Sequence, residues 1–428
     1  MDHTTAETGQ RPPGETARRA RLVVLIGLVV LLGVTGGWSV LAIVGALVVM
    51  IFLHELGHYV TARLAGMKVT EFFLGFGPRI WSFRRGETEF GLKVIPAGAY
   101  VRIIGMNSMD PVDPADEPRT YRQQSYPRRL GVALAGSAMH FALAMVLIFT
   151  LLVGFGASGG ALFRSAETDP SDWVVGMVAA DSPAAAVGLR PGDRILAVDG
   201  TPINAFGDIR AAVGSKAGAP VEVQVERDGA TFTVTPTIEE RRLSDGTSVG
   251  LLGISGMAPI ERLNPLEAVP RTVQEFAALS SESLKAMGRA FNPAGLGRLF
   301  STALTTRSAP DTGDSAGPVV DEDRPLSLLG ATRLGAQVLD EDLASGILFF
   351  VAINVFVGLV NLAPLPPLDG GHVAVATYER IRELLRRDGK RYVVDFARLA
   401  PVTYAVVVIL AGIGLSTLWL DLVAPVRL

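Results

Sequence analysis

The sequence predicts a polytopic α-helical membrane protein with four to five membrane helices, a membrane-associated β-hairpin segment and one inserted α+β domain. Three observations predict it. Of the 428 residues, 49% are hydrophobic and only 19% charged, and the mean hydropathy of +0.36 is high for a soluble enzyme. Apolar stretches at 38–53, 130–156, 346–365 and 401–420 approach or exceed the roughly 20 residues that cross about 30 Å of hydrocarbon. Arginines and lysines gather in the segments between these stretches.

Composition also excludes. The net charge of −3, with no basic stripe interleaved with aromatics, points away from a nucleic-acid partner. There is no cysteine, which rules out disulfides, thiol nucleophiles and cysteine-held metals. Any metal must be held by His, Asp or Glu, and the five histidines are His3, His54, His58, His140 and His372.

In chain order, residues 1–17 are polar and are expected to be a disordered tail. Arg18, Arg19 and Arg21 then precede a thirteen-residue apolar run that ends at Thr35-Gly36-Gly37. A second apolar run begins at once at Trp38, which a cleaved secretory signal would not need. Residues 18–37 are therefore expected to be an extra membrane helix or half-helix. The helix expected over 38–62 carries no charge from Trp38 to Leu53 and ends in IFLHELGHYV. Residues 63–128 are basic, with a turn at Arg85-Gly86 between strand-like runs. They predict a β-rich segment at the cytoplasmic face of the membrane, whose edge can take up an unwound peptide as an added strand.

A membrane helix is expected over 129–156, a folded domain over 170–260, amphipathic helices over 261–307 and a linker over 308–345. Next come a membrane helix with NLAPLPPLDGG (346–371), a basic loop (372–398) and a last membrane helix (399–421). Positive charge concentrated in 63–128 and 372–398 assigns both segments to the cytoplasmic side of the cell membrane. The inserted domain then lies on the extracytoplasmic side.

The chemistry concentrates at His54, Glu55 and His58. Histidines at i and i+4 project from one helix face, and Glu55 lies about 100° round from His54 and about 60° from His58. In H-E-x-x-H the imidazoles ligate zinc and the glutamate acts as general base on a zinc-bound water. At 1.5 Å per residue from Trp38, His54 is about 24 Å along its helix, within the bilayer but toward the cytosol. A catalytic zinc needs a third protein ligand. Asp369 is the candidate: it follows an apolar helix broken by Pro364, Pro366 and Pro367. Irregular backbone at that depth is tolerated only where it faces protein or a wet cavity. Gly370 and Gly371 are expected to let the chain turn tightly after it. Glu71 and His140 remain the alternatives for the third place.

H-E-x-x-H on one membrane helix and N-x-x-P-x-P-x-L-D-G on a later one together resemble the site-2 protease family of intramembrane zinc metalloproteases. The likeness runs in order over roughly 38–420. KVIPAGAYVRIIGM (93–106) looks like the family's membrane-reentrant β-hairpin, and ALAGSAMHFALA (133–144) like its second core helix. AADSPAAAVGLRPGDRILAVDGTPI (179–203) is similar to the PDZ domain of the bacterial branch. The resemblance implies His54, His58 and Asp369 as zinc ligands, Glu55 as catalytic acid/base, and Asn361 and Tyr100 as substrate-positioning residues. His140 and His372 are candidates for contacts that support the ligands. One departure stands out: much of the family reads G-P-x-x-N where this chain has Gly136-Ser137-Ala138-Met139-His140.

The function implied is cleavage of a transmembrane segment of another membrane protein, such as an anti-sigma factor, after a prior extracytoplasmic cut. Zinc is the cofactor, with membrane lipids and a peptide or C-terminus at the PDZ domain as further partners. A competing reading is a catalytically silent, PDZ-bearing membrane scaffold or adaptor. A third, a metal transporter, calls for several intramembrane acids along a path.

Overall fold

The computed structural model describes residues 15–106, 111–158, 162, 173–242, 248–257, 260–305, 325–386, 391–394 and 396–424. The expected disordered tail lies outside the described residues as far as residue 14, as does the expected linker from 308 to 324. Four helices are long and apolar enough to cross a membrane: Ala20–Leu64, Tyr126–Phe155, Leu343–Asn361 and Ala400–Val423. The chain divides into two compact units, 1–147 with 280–428, and 148–279.

In the first unit, helix α1 (Glu15–Leu64) is two helices joined at Gly37, whose φ of +76° an L side chain rarely adopts. The chain turns back there. A Cβ on Gly33 would lie 2.8 Å from the Leu41 side chain, and Nη1 of Arg21 donates to the Arg79 carbonyl at 2.6 Å. The far end of α1 reaches the same sheet, where Phe52 and Tyr59 meet Phe72 edge-on at 5.5 and 5.8 Å. So 15–36 and 38–64 run side by side, each arm from Arg21 or to His54 covering about 24 Å.

Strands β1 (Val69–Arg85) and β2 (Thr88–Ile103) are long, antiparallel and sharply bent. Phe72 is opposite both Val101 and Phe90, while Phe83 is also opposite Phe90. The two strands thus lay four segments side by side, in the order 99–103, 69–74, 88–92 and 81–85. Among the described residues no further strand pairs with 99–103, which leaves it as an edge.

Helix α2 (Tyr126–Thr150) continues into a π-helical turn, Leu151–Phe155. The second unit then contains β3 (Ala157–Ser158), β4 (Val174–Val178), α3 (Pro183–Ala186), β5 (Arg194–Val198), β6 (Thr201–Pro202) and α4 (Phe206–Gly214). Strands β7 (Val223–Arg227), β8 (Ala230–Val234), β9 (Glu239–Arg242), β10 (Ser248–Leu251), β11 (Ile254–Met257) and β12 (Ile260–Glu261) follow, with β6-β5-β7-β8 as its largest sheet. Ser182 caps α3 by accepting from the Ala185 amide at 3.2 Å, with Pro183 at the first helical position. Trp173, Val175, Ile195, Val198, Ile209 and Val225 are among its core residues.

Helix α5 (Pro265–Ala290) starts in that unit and ends in the first, where α6 (Pro293–Thr305), α7 (Leu328–Glu341), α8 (Leu343–Asn361), α9 (Asp369–Arg386) and α10 (Ala400–Val423) complete the chain. Three expectations are corrected. The supposed linker holds α7, capped at Ser327 and fixed by Asp421 of α10, whose carboxylate accepts from the Ser327 amide at 2.7 Å. The supposed basic loop after 371 is helical as far as Arg386, because α9 begins at Asp369 itself. The helix expected over 346–371 ends at Asn361, ten residues before that, and Pro364, Pro366 and Pro367 keep 362–368 out of it.

Candidate metal centre

Helix α1 supplies two donors from one face. Nδ1 of the buried His58 donates to the Val132 carbonyl of α2 at 2.8 Å. Its proton is thereby placed on Nδ1, and Nε2 is left as a bare lone pair. That Nε2 stands 3.2 Å from Nε2 of His54. Asp369 Oδ2 lies 3.4 Å from His54 Nε2 and 3.3 Å from His58 Nε2. These three residues are the metal-ligand cluster found among the described residues.

The arrangement fits zinc. Lone pairs converging at such distances repel unless a cation lies between them, and the donor set is nitrogen, nitrogen and carboxylate oxygen. Donors about 2.0–2.1 Å from a tetrahedral zinc stand about 3.3 Å apart, which matches the spacing observed. Oδ2 of Asp369 is buried and has no hydrogen-bond partner among the described residues, as suits an atom reserved for a cation.

Glycines make the convergence possible through space. A Cβ on Gly136 would lie 2.3 Å from Cε1 of His54 and 2.5 Å from Nε2 of His58, so bare α2 backbone walls the site. A Cβ on Gly57 would meet the Ala135 carbonyl at 2.7 Å, which lets α1 and α2 close in. Gly370 and Gly371 are also spatial. Neither has a positive φ, contrary to the tight turn expected of them. A Cβ there would strike the Leu362 carbonyl at 2.2 Å or the Pro366 nitrogen at 2.8 Å. The proline loop therefore folds onto the first turn of α9 and fixes where Asp369 stands.

The other predicted residues fall at various distances from this centre. Glu55, next to His54, faces the Val101 backbone on the free sheet edge. His140 is buried with its ring centroid 5.1 Å from that of His54, but it does not join the donor cluster. Nδ1 of His140 meets Oδ1 of Asn354 at 3.3 Å, and Nδ2 of Asn354 donates to the Phe350 carbonyl at 2.9 Å. The second bond orients the amide, so His140 must carry its proton on Nδ1. His372, one turn into α9, sits edge-on to Tyr121 at 6.2 Å. Asn361 is the last residue of α8. Tyr100 stacks on Phe73 at 5.8 Å and donates to Glu71, which also pairs with Arg102 at 3.1 Å. Glu71 is thus engaged in the sheet, and neither it nor His140 stands in the third donor position.

Sequence reasoning missed Asn354, Gly57, Gly136 and the Val132 carbonyl. Asn354 carried a signal, since an amide within an otherwise apolar membrane-grade run rarely lacks a role.

Residues 42–404 match the model of "Peptidase family M50". The chain is 34% identical over 407 residues to "Zinc metalloprotease Rip1" of Mycolicibacterium smegmatis, covering 90% of this chain and 97% of that one. It is 33% identical over 410 residues to the Rip1 of Mycobacterium tuberculosis, covering 90% and 96%. "Metalloprotease MmpA" of Caulobacter vibrioides is 31% identical, with 78% of this chain and 84% of that one covered. Among solved structures, the PDZ domain of an SdrC-like protein from Listeria monocytogenes aligns with 20% of this chain and 85% of its own, at 25% identity and a TM-score of 0.17.

Proposed function

The chain belongs to peptidase family M50 and is a zinc metalloprotease of the membrane, and on that premise we propose that it is an endopeptidase that cuts a transmembrane segment of another membrane protein. The observation that carries this reading is the approach of three donor atoms from residues 54, 58 and 369 to within 3.2–3.4 Å beside a glutamate.

In this reading His54, His58 and Asp369 hold the zinc, which when bound supplies an acidified water and polarises the scissile carbonyl. Glu55 takes the proton from the attacking water and returns it to the leaving amine. The Val132 carbonyl holds the His58 ring so that Nε2 stays available. A helical peptide shields its own carbonyls by hydrogen bonding, so the substrate must unwind. The free edge 99–103 beside Glu55 accepts it as an added strand, with Tyr100 on that edge and Asn361 at the end of α8 as positioning residues. An amide at Asn361 suits either the substrate backbone or the developing oxyanion.

The threading we favour puts 63–128 and 372–398 on the cytoplasmic side of the cell membrane. The hydrogen bond from Arg21 to Arg79 supports it, because it joins the basic N-terminal end to the basic sheet. Residues 170–260, within the unit 148–279, are read as a PDZ domain outside the membrane, binding a peptide end or gating by size. The substrate class is a membrane regulator such as an anti-sigma factor, already trimmed outside.

The decisive experiment compares wild type with Glu55→Gln, purified and reconstituted, for zinc content and for cleavage of a model transmembrane substrate. The variant should keep its zinc and lose about 10²–10⁴ in rate. Undiminished cutting would remove Glu55 from its role. Cutting by neither protein would favour the silent scaffold.

A further inference from the structure

Helix α9 begins at Asp369 and carries a feature that the peptidase chemistry leaves unused. Its solvent face is apolar, with Tyr378 47% exposed, Ile381 50% and Leu385 73%. These positions are three and four residues apart and form one stripe. Beside the stripe the guanidinium of Arg382 lies 6.0 Å from the Tyr378 ring and 5.4 Å from the Tyr392 ring, and that of Arg386 lies 5.7 Å from Tyr392. The two tyrosines meet edge-on at 6.0 Å. Two cations are thus held over one aromatic pair.

Neither has a carboxylate partner among the described residues. The glutamates of α9 are engaged elsewhere: Glu379 with Arg129 at 2.6 Å and Glu383 with Arg380 at 3.3 Å. Underneath lies a largely apolar cavity of about 720 Å³, walled by Leu365, Pro366, Val375, Tyr378, Tyr392 and Val402. Two of the residues that wall the cavity, Tyr378 and Tyr392, are the rings under these guanidiniums, and Arg398 also lines it. Positive charge beside an apolar cavity, in a membrane protein, is complementary to one ligand chemistry: an anion joined to a hydrocarbon chain.

We propose that α9 and the start of α10 bind one anionic phospholipid of the surrounding bilayer, its phosphate bridging Arg382 and Arg386 and an acyl chain filling the cavity. Guanidinium forks suit phosphate oxygens, and the tyrosines hold both forks ready. The cavity wall includes Leu365 and Pro366, in the loop that folds onto the first turn of α9, and Gly371 two residues past Asp369. An occupying chain therefore props the backbone that presents the third zinc donor, so peptidase rate rises with anionic lipid. That consequence rests on the proposed function, whereas the binding itself does not.

The test places the full-length protein in nanodiscs of phosphatidylcholine and titrates fluorescent phosphatidylglycerol, then repeats this with Arg382→Gln/Arg386→Gln and, separately, Val375→Trp. At about 1 kcal/mol per arginine, the double variant should bind about 30-fold more weakly. Val375→Trp should weaken binding with both charges in place. Phosphatidylglycerol bound as tightly by the double variant as by wild type overturns the site, and so does equal binding of labelled phosphatidylcholine. Displacement by oleate at equal concentration overturns the phosphate assignment. Cleavage is measured in parallel. Wild-type protein that binds the lipid and cuts nothing sinks the peptidase reading and leaves the lipid site standing.

Discussion

The last turns of α1 support two clusters of ionisable groups with opposite physics. At His54 and His58 the side chains are nearly closed to solvent, and the Val132 carbonyl sets the orientation of the His58 ring. Five residues on, Arg63 joins Glu87 of the sheet turn at 3.2 Å, and Arg119 grips the same carboxylate through two bonds of 2.6 Å. Those three side chains are about 40% exposed: 42%, 38% and 39% for Arg63, Glu87 and Arg119. In the first cluster, a lost partner leaves a polar group stranded away from water, at high cost. In the second, water and salt stand in for whatever is removed. The two clusters should therefore differ widely in how much disturbance they tolerate.

Gly136→Ala tests the strict end most severely. Its added methyl would fall within 2.5 Å of both histidine rings, so either α2 backs away or the imidazoles turn off the ion. Zinc affinity, read by chelator competition, should drop by at least about 10–100-fold, and cleavage with it. Gly131→Ala is the internal control: it lies on the same helix, where a Cβ meets nothing within 4 Å, and both readouts should stay at wild-type values. If the two alanines behave alike, the close approach of α2 is not what shapes the centre.

Asn354 sits at the next level. Asn354→Leu strands the Nδ1 proton of His140 in a fully buried place, which costs about 1–3 kcal/mol, and frees the ring that packs against His54. Zinc affinity should fall about tenfold. Adding His140→Phe removes the stranded donor along with its lost acceptor, so the double variant should unfold at a higher temperature than Asn354→Leu alone. A double variant less stable than the single one would mean that the two residues act separately.

The same contrast explains what was legible in the sequence. His54, Glu55 and His58 declared themselves because helix geometry fixes their relation locally, and Asp369 because a carboxylate among prolines in an apolar run is costly without a partner. Gly136, Gly57 and Val132 did not, since each acts only through the distance between two helices, which no local pattern encodes. Helix α7 was hidden by its neighbours, being short and following a stretch rich in Pro, Gly and Asp. Helix α9 reads as loop when its arginines are weighed only as topology signals. The three- and four-residue spacing of Tyr378, Ile381 and Leu385 was there to be read.

Glu87→Gln probes the tolerant end and should have the smallest effect. The Arg119 guanidinium, with help from Arg63, holds the Glu87 carboxyl down from its ordinary 4.5 to about 2. A group depressed in the folded state adds stability above its unfolded value and loses that contribution as pH falls through the folded one. Wild type and Glu87→Gln should therefore differ slightly at neutral pH, by no more than about 2 °C in unfolding midpoint. The gap should narrow from about pH 4.5 and close near pH 2. Molar salt should close it at neutral pH as well, because the screening length shrinks to about 3 Å. Salt should do nothing for Gly136→Ala, whose defect is steric. A Glu87 variant that loses as much as Gly136→Ala, or whose deficit resists salt, would show that exposure does not set the difference between the two clusters.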